Sequence, residues 1–295
     1  MKVLVTGANG FLGYYLIEKL LNRQFTVIAT GRGECRLPFI QHKNFIYQEM
    51  DFTDPFQVHD VFEKHSPGVV IHAGAMSKPD DCELDQWEAY RTNTEATVTL
   101  LVNAEEHKSF FVFVSTDFIF DGERGMYREQ DQPQPVNFYG KTKLEAEDAI
   151  REYQYQWAIV RTVLVYGKPQ AGKENILTIV KKKLEKGESY NVVDDQVRTP
   201  TYVGDLAAGI ISVIEKKARG IFHLSGEEVL TPYQMAIRAA DYLKLDSSLI
   251  NKVTAANFSQ PAKRPAKTGF TIEKAKRQLD YEPISFEEGL KKTFG

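Results

Sequence analysis

The sequence predicts an α/β fold in which helices cover both faces of a doubly wound parallel sheet. Near-continuous apolar runs alternate with amphipathic helical patterns through the first 165 residues. Strands that are apolar on both sides are typical of parallel sheets buried between two layers of helices. The alternation breaks down after residue 165, which predicts a smaller, mixed C-terminal lobe beside the sheet.

The first part of the chain predicts six strands and four helices. The strands are predicted at residues 3–6, 26–30, 45–47, 69–72, 110–114 and 158–160. The helices are predicted at residues 12–22, after residue 54, at 86–106 and at 138–153. The second helix begins at Asp54-Pro55, because Asp is a favoured N-cap and Pro is favoured at the first helical position.

The C-terminal part predicts helices joined by irregular segments that contain proline. These helices are expected near residues 174–186, 204–217, 231–243 and 271–279. One further apolar strand, at residues 221–224, is expected to return to the main sheet. The predicted domains are a first domain of residues 1–165 that takes back 203–224, and a lobe of residues 166–202 and 225–295 that closes over the strand ends.

Composition and charge narrow the class of protein. The 295 residues are 42% hydrophobic and 26% charged, which is ordinary for a soluble globular chain. The net charge of −3 gives no reason to expect nucleic acid or an anionic membrane as a partner. Cys35 and Cys82 have no metal-binding or redox spacing, and no apolar run is long enough to span a membrane. We expect a cytoplasmic protein with no metal site.

Three glycines follow the first strand directly. In dinucleotide-binding loops such glycines permit a tight turn, a close approach to pyrophosphate and close helix–strand packing. The phosphates then lie on the unpaired N–H groups at the start of the next helix. A merely structural glycine turn is the weaker alternative, because this loop lies between a strand and an amphipathic helix. The sequence thus predicts a Rossmann-like domain, with cofactor contacts from Gly7, Asn9, Gly10, Phe11, Leu12 and Gly13.

The end of the second strand indicates which dinucleotide binds. This strand runs into Gly31 and Arg32, without the acidic residue that usually accepts the ribose hydroxyls of NAD. Arg32, with Arg36 close behind, is suited to pair with a 2′-phosphate. We therefore expect NADP(H) to be favoured over NAD(H), with two solvated arginines as the alternative.

The glycine spacing G-x-x-G-x-x-G is one residue wider than the G-x-G-x-x-G of two-domain dehydrogenases. It resembles the short-chain dehydrogenase/reductase superfamily. The resemblance implies that catalysis and cofactor binding share one sheet, and that a Tyr and a Lys lie four residues apart on a downstream helix. It also implies that Asp51 and Phe52 flank the adenine, and that Asn93 supports the active site.

The fourth strand ends in His72, which we interpret as a packed, hydrogen-bonded residue rather than a catalytic one. The small residues that follow allow the backbone to run beside the cofactor. They are Ala73, Gly74 and Ala75.

The expected pair is present as Tyr139 and Lys143, which lie on one face of a predicted helix. Thr116, at the end of the fifth strand, places a hydroxyl at the same edge of the sheet. Hydride reduction of a ketone leaves an alkoxide, and a phenol can protonate it if nearby positive charges lower its pKa from about 10. Lys143 is also expected to hold the nicotinamide ribose, and Thr116 to polarise the substrate carbonyl.

Longer stretches of the sequence resemble one family within this superfamily. Residues 115–122, Ser-Thr-Asp-Phe-Ile-Phe-Asp-Gly, resemble the S-T-D-Y-V-F-D-G stretch of dTDP-4-dehydrorhamnose reductases. The likeness continues through residues 135–147 and 161–167, and residues 264–270 resemble a C-terminal segment of that family. It implies NAD(P)H-dependent reduction of the C4 ketone of a dTDP-sugar. The residues expected on the substrate side are Asp117, Phe118, Arg198 and Arg264.

Two departures from that family leave open which sugar and which nucleotide base the substrate contains. Phe118 replaces the usual tyrosine, and Arg198 is more typical of nucleotide-sugar epimerases and dehydratases, where an arginine grips the diphosphate. A dehydratase is disfavoured, since its relatives place Asp-Glu where this chain has Asp117 and Phe118. An epimerase keeps the same Tyr and Lys and stays open. A non-catalytic protein resembling the regulatory subunit of methionine adenosyltransferase is a further alternative, and a homodimer is left open.

Overall fold

A parallel sheet forms the centre of the molecule, and the computed structural model describes residues 1–170 and 174–295. The strands are β1 (Lys2–Thr6), β2 (Thr26–Gly31), β3 (Phe45–Glu49), β4 (Val69–His72), β5 (Phe110–Thr116), β6 (Trp157–Thr162), β7 (Val165–Tyr166), β8 (Tyr190–Val193), β9 (Thr201–Tyr202), β10 (Gly220–His223) and β11 (Ile250–Val253). The helices are α1 (Phe11–Asn22), α2 (Pro55–His65), α3 (Pro79–Leu84), α4 (Gln86–Tyr90), α5 (Ala96–Glu106), α6 (Phe138–Arg151), α7 (Ile176–Glu185), α8 (Val203–Glu215), α9 (Pro232–Leu243), α10 (Glu273–Leu279) and α11 (Phe286–Phe294). Across these described ranges, no helix is both long and apolar enough to cross a membrane.

The main sheet has seven strands in the order β10-β6-β5-β4-β1-β2-β3, and every neighbouring pair is parallel. The order reverses at β1, which pairs with β2 on one side and with β4 on the other. Ligands of such sheets bind outside the carboxyl ends of the strands at this reversal. The predicted doubly wound α/β class is confirmed.

Two apolar layers bury the sheet from opposite sides. Helices α1 and α8 pack on one face, against residues such as Val3 and Val5 of β1. Helices α2, α5 and α6 pack on the other face, against Leu4, Phe111 and Phe113. Since successive side chains of a strand point to opposite faces, both sets must be apolar. This double burial explains why the strands read as nearly unbroken apolar runs.

The C-terminal part has its own apolar core, in which α7, α9 and α11 pack around residues such as Met235 and Phe286. Two short parallel pairs, β8 with β11 and β7 with β9, complete this part. These four strands were not predicted, because β7 and β9 have only two residues each, and polar residues interrupt the apolar runs of β8 and β11. Strand β10 lies beside β6 at the edge of the main sheet. The division into domains stays a prediction.

The helix predicted at residues 86–106 is present, but it is interrupted. Helices α4 and α5 are joined by a π-helical turn at Arg91–Glu95. Such a turn closes i→i+5 hydrogen bonds and occurs frequently at functional sites. Asn93 is buried in the middle of this turn.

At Gly13, helix α1 closely approaches the loop that precedes it. A Cβ atom there would lie 2.4 Å from the carbonyl oxygen of Ala8 and 2.5 Å from that of Gly7. We predict that Gly13→Ala lowers the free energy of unfolding by about 1–3 kcal/mol, the usual cost of overpacking. Urea unfolding measures this change. Gly68→Ala is the matched control, because its nearest neighbouring atom would be 3.8 Å away. Equal stability of the two variants would contradict the prediction.

Candidate active site

A cleft of about 610 Å³ opens at the carboxyl ends of β1, β2 and β4, where the strand order reverses. Its walls come from the glycine loop, the loops after β2 and β4, and the region around α7. It brings together most of the predicted cofactor residues, namely Gly7, Asn9, Gly10, Phe11, Leu12, Gly13, Arg32, Phe52, Ala73, Gly74 and Ala75.

The glycine loop forms a cradle of backbone N–H groups. Gly7 has a φ of +68°, which side chains rarely adopt, and a Cβ atom there would lie 2.9 Å from the Cα atom of Gly74. Gly10 caps α1 without a side chain. The first N–H groups of α1 therefore face the cleft with the positive end of the helix dipole. These donors fit the pyrophosphate of a dinucleotide.

Asn9 holds the loop that carries Arg32. Its Nδ2 donates to the Tyr47 hydroxyl at 3.0 Å, and its Oδ1 accepts from the backbone N–H of Arg36 at 3.0 Å. The Tyr47 hydroxyl donates in turn to the carbonyl oxygen of Gly33 at 2.7 Å. The Asn9 side chain thus shapes the wall on which Arg32 and Arg36 both lie.

Asp51 lies in an adjoining cleft of about 390 Å³ that shares Arg32, Phe52, Ala75 and Ser77 with the first. The ring of Phe52 packs directly on the loop after β4, since a Cβ atom at Gly74 would lie 2.6 Å from Phe52 Cε1. The two clefts meet at this ring. The predicted adenine-flanking pair therefore lines the junction of the two clefts.

His72 is part of a buried chain of hydrogen bonds. The N–H of Gly74 donates to Thr6 Oγ1 at 3.2 Å, and Thr6 Oγ1 lies 2.7 Å from His72 Nδ1. On the other side of the ring, Nε2 lies 3.1 Å from Thr97 Oγ1, whose hydroxyl donates to the carbonyl oxygen of Asn93 at 2.7 Å. Nε2 therefore carries the ring proton. Burial lowers the pKa of His72 well below its ordinary value, so the ring stays neutral and acts as a structural link.

Asn93 connects the loop after β4 to α6. Its Oδ1 accepts from the N–H of Met76 at 2.8 Å, and its Nδ2 donates to the Met76 carbonyl oxygen at 3.0 Å. The same Nδ2 donates to Thr142 Oγ1 at 3.1 Å, and the Thr142 hydroxyl donates to the carbonyl oxygen of Tyr139 at 2.9 Å. Asn93 thereby ties one wall of the adjoining cleft to the helix that carries Tyr139 and Lys143.

The first turn of α6 brings Tyr139 to the end of β5. The ring of Phe118 lies edge-on to that of Tyr139, with centroids 6.0 Å apart. Thr116 accepts from the N–H of Phe118 at 3.2 Å and donates to Asp117 Oδ1 at 3.1 Å. The Thr116 hydroxyl acts on the phenol of Tyr139, and Lys143 lies one helical turn later on α6. None of the three is among the residues that line either cleft.

The phenol of Tyr139 differs from the sequence expectation in the direction of its pKa. Burial raises the pKa above the ordinary value; the Thr116 hydroxyl opposes this rise, and the Asp117 carboxyl adds to it. The expected lowering by Lys143 is not met, because Lys143 is not among the groups that act on the phenol and burial has the largest effect. The phenol therefore stays protonated at neutral pH, which is the form that donates a proton.

Lys143 is buried directly behind Tyr139 on the same helix. Burial lowers the pKa of Lys143 to about 7, although the Glu147 carboxylate opposes this shift. The ammonium Nζ lies 3.8 Å from the ring centroid of Phe113, within the range of a cation–π interaction. The charge of Lys143 is consequently sensitive to pH near neutrality.

Arg198 is buried, and its donors are directed to the protein itself. Its Nη1 donates to the carbonyl oxygens of Val197 and Ala266 at 2.8 and 3.0 Å, and its Nη2 donates to that of Pro265 at 2.8 Å. Its Nε lies 3.8 Å from Asp117 Oδ2. Burial raises the pKa of Asp117, and Arg198 opposes that shift. Arg198 is thus placed as a tie between two segments, and its contact with substrate stays a prediction.

Arg264 forms a two-pronged ion pair with Asp80 of α3. Its Nη2 donates to Asp80 Oδ2 at 2.6 Å, and its Nη1 contacts Oδ1. Nη1 also donates to the carbonyl oxygen of Ala262 at 2.7 Å. The pair holds the segment around residue 264 on α3, and a substrate contact from Arg264 likewise stays a prediction.

Folding also brings together three potential metal ligands that the sequence spacing did not indicate. One ligand atom from each of His59, Glu63 and Glu106 lies within 4.8 Å of the others. The trio joins one face of α2 to the end of α5, so only the packing of two helices creates it. All three residues are exposed, and they are not among the cleft-lining residues.

Comparison with known proteins identifies the family. The model described as RmlD substrate binding domain matches residues 1–295. The chain belongs to this family. The dTDP-4-dehydrorhamnose reductase of Aggregatibacter actinomycetemcomitans is 30% identical to it over 303 residues, which cover 98% of this chain and 97% of that protein. The methionine adenosyltransferase 2 subunit beta of Danio rerio is 33% identical over 270 residues, which cover 90% and 80%.

A solved structure shares the fold of this RmlD-family chain. The dTDP-4-dehydrorhamnose reductase of Bacillus anthracis in complex with NADP superposes with a TM-score of 0.87 at 28% identity. The match covers 99% of this chain and 98% of that one. The likeness therefore extends over both the sheet and the C-terminal part.

Sequence reasoning missed several residues of the RmlD-family cleft, namely Ser77, Leu164, Val165, Glu174, Asn175 and Ile176. Asn175 had a usable signal, since its side chain caps α7 together with Thr178 three residues later. The others come from loops, from β7 and from the first turn of α7, and their contacts depend on tertiary packing.

The ion pair between Asp80 and Arg264 yields a test of how the C-terminal segment is held. We predict that Asp80→Asn speeds amide hydrogen exchange in residues 258–266 roughly tenfold, because charge-assisted hydrogen bonds are lost. Exchange followed by mass spectrometry measures this. Asp81→Asn is the matched control, since the Asp81 carboxylate is half exposed and lies 3.6 Å from Lys78 Nζ. If Asp81→Asn speeds exchange as much, Asp80 does not hold the segment.

Proposed function

We propose that this chain is an NADPH-dependent reductase that converts the C4 ketone of a nucleotide-activated sugar to the alcohol. The observation that carries the proposal is the grouping of a phosphate cradle at α1 with Tyr139, Lys143 and Thr116 at the end of β5, all on one edge of the sheet. Relatives named dTDP-4-dehydrorhamnose reductase support a dTDP-4-ketosugar as substrate. The relative solved with NADP supports a nicotinamide cofactor.

In this proposal each residue has a defined role. Bound NADPH supplies the hydride, and the glycine loop with Arg32 holds its phosphates. Tyr139 donates its proton to the carbonyl oxygen as that oxygen gains negative charge, so hydride and proton together yield the alcohol. Thr116 hydrogen-bonds the same oxygen, and Lys143 stabilises negative charge nearby as an ammonium.

The substrate side of the proposed site lies next to Tyr139. Asp117 and Phe118 follow Thr116 directly, and the ring of Phe118 lies 5.9 Å from the Arg198 guanidinium carbon. We assign the sugar to this neighbourhood. Arg198 and Arg264 support it by holding residues 262–266 in place, through the hydrogen bonds described above.

Tyr139→Phe removes the proposed proton donor and little else. We predict a loss of turnover of at least about a hundredfold, the usual contribution of general acid catalysis, with NADPH affinity nearly unchanged. NADPH oxidation with dTDP-4-ketosugars and fluorescence titration of NADPH measure the two quantities. Tyr155→Phe is the control, because it removes a phenol elsewhere in the fold. Retained turnover in Tyr139→Phe would refute the assignment.

Arg32→Ala tests the cofactor preference. A charge-assisted contact with a 2′-phosphate is present only with NADPH, so we predict that the dissociation constant for NADPH rises about tenfold while that for NADH changes little. Arg23→Ala, which removes an exposed arginine paired with Glu215, is the control. If wild-type protein binds NADH more tightly than NADPH, the preference for NADP(H) is wrong.

Two alternatives give different outcomes. An epimerase of the same fold returns its cofactor unchanged, so it would not consume NADPH in proportion to product.

A non-catalytic regulatory subunit is favoured by one observation, the 33% identity to a methionine adenosyltransferase subunit beta. The presence of Tyr139, Lys143 and Thr116 argues against it. A tight complex with a methionine adenosyltransferase catalytic subunit, without NADPH oxidation on any ketosugar, would support it.

A further inference from the structure

Glu147 is the centre of a buried network of charges beneath α6. Its Oε1 accepts from the Ser115 hydroxyl at 2.6 Å. Arg161 donates from Nε to the two carboxylate oxygens at 3.0 and 3.2 Å, and from Nη2 to Oε2 at 2.6 Å. Glu147 and Arg161 are both completely buried. Arg151, which is partly exposed, adds a contact at 3.2 Å.

The network spans three adjacent strands of the sheet. Ser115 of β5 pairs in register with Arg161 of β6, and Arg161 pairs with His223 of β10. Arg161 Nη1 lies 3.4 Å from Nε2 of His223, whose pKa burial lowers well below its ordinary value. Since Ser115 directly precedes Thr116, the carboxylate of Glu147 links α6 to the strand that ends in the proposed catalytic threonine.

Glu147 also lies one helical turn after Lys143 and faces the same side of α6. The other groups that act on Lys143 carry no charge near neutral pH. Burial raises the pKa of the Cys82 thiol of α3 to about 12, and His72 of β4 is neutral. Tyr139 is a protonated phenol. Within residues 1–170 and 174–295, Glu147 is therefore the negative charge that acts on Lys143.

We propose that Glu147 is a positioning residue: its carboxylate keeps Lys143 in the charged form and holds α6 where Tyr139 meets Thr116. A buried ion pair adds little net stability over apolar residues of similar size, because both charges lose their water. The Glu147–Arg161 pair is therefore better explained by the charge it sets at Lys143 and by the position it gives α6. The claim that Glu147 supports catalysis rests on the proposed function. The claim that its carboxylate favours the charged form of Lys143 does not depend on that function.

Carbon-13 NMR of lysine Cε atoms in the ligand-free protein tests the electrostatic part. The Lys143 resonance is the one missing from Lys143→Met. Glu147→Gln keeps the size of the side chain and an acceptor for Ser115 but removes the charge. The titration midpoint of Lys143 should then fall by about one to two pH units. Asp148→Asn is the control, because Asp148 is an exposed neighbour that contacts the same Arg151; it should leave the midpoint unchanged.

The pH dependence of turnover tests the catalytic part. If the reduction needs Lys143 as an ammonium, activity is lost as pH rises through the pKa of Lys143. In Glu147→Gln this loss should occur about one to two pH units lower, and Glu147→Asp, which keeps the charge, should restore most of the parent profile. A merely structural role would lower turnover equally at every pH. An unchanged Lys143 midpoint in Glu147→Gln would overturn the inference, even if the protein is a reductase.

Glu147→Gln leaves Arg161 buried without its partner, which can prevent folding. The double variant Glu147→Gln/Arg161→Met removes both charges, so no unpaired charge is left in the interior. Because this variant also removes the positive charge beside Glu147, the midpoint is expected to fall by less than in Glu147→Gln. A midpoint equal to or above that of the parent would overturn the inference. If no ketosugar is reduced by the parent protein while the midpoint falls, the proposed function fails and the electrostatic role of Glu147 stands.

Discussion

The approach of α6 to the end of β5 determines the geometry of the whole candidate site, and it depends on a glycine. A Cβ atom at Gly140 would lie 2.0 Å from the carbonyl oxygen of Phe118. Because no side chain stands there, the helix backbone reaches the turn that follows Thr116. Tyr139 and Lys143, on either side of this glycine, are thereby brought to the strand end.

Polar groups keep α6 in that position, and each of them is buried with a partner. Asn93 ties the helix to the loop after β4, and Glu147 with Arg161 ties it to β5 and β6. His72 joins the same loop to the strand that begins the cradle, through Thr6. An unpaired polar group in such a site would be costly, so these contacts favour one arrangement of sheet, loop and helix. The cradle and the proposed catalytic residues consequently share one rigid frame.

Much of the main sheet and of the candidate site was predictable, because the sequence patterns that indicate them involve residues a few positions apart. The apolar runs predicted the strands of the main sheet, and the glycine spacing predicted the turn at Gly7 and the approach at Gly13. The four-residue spacing of Tyr139 and Lys143 predicted their common face. The short strands of the C-terminal part and the π-helical turn around Asn93 were not predictable, since neither has a period that a sequence displays.

The sequence by itself determined the fold class, the position of the phosphate cradle and which residue types stand at the strand ends, because these depend on neighbours a few positions apart. Only the tertiary structure decided the protonation states of those residues and their hydrogen-bond partners. Burial keeps the phenol of Tyr139 protonated and brings the pKa of Lys143 to about 7, against the effect of Glu147. Arg198 and Arg264, which the sequence predicts as substrate ligands, donate hydrogen bonds to carbonyl oxygens and to Asp80. Desolvation and hydrogen-bond partners arise from segments far apart in the chain, so no local pattern reveals them.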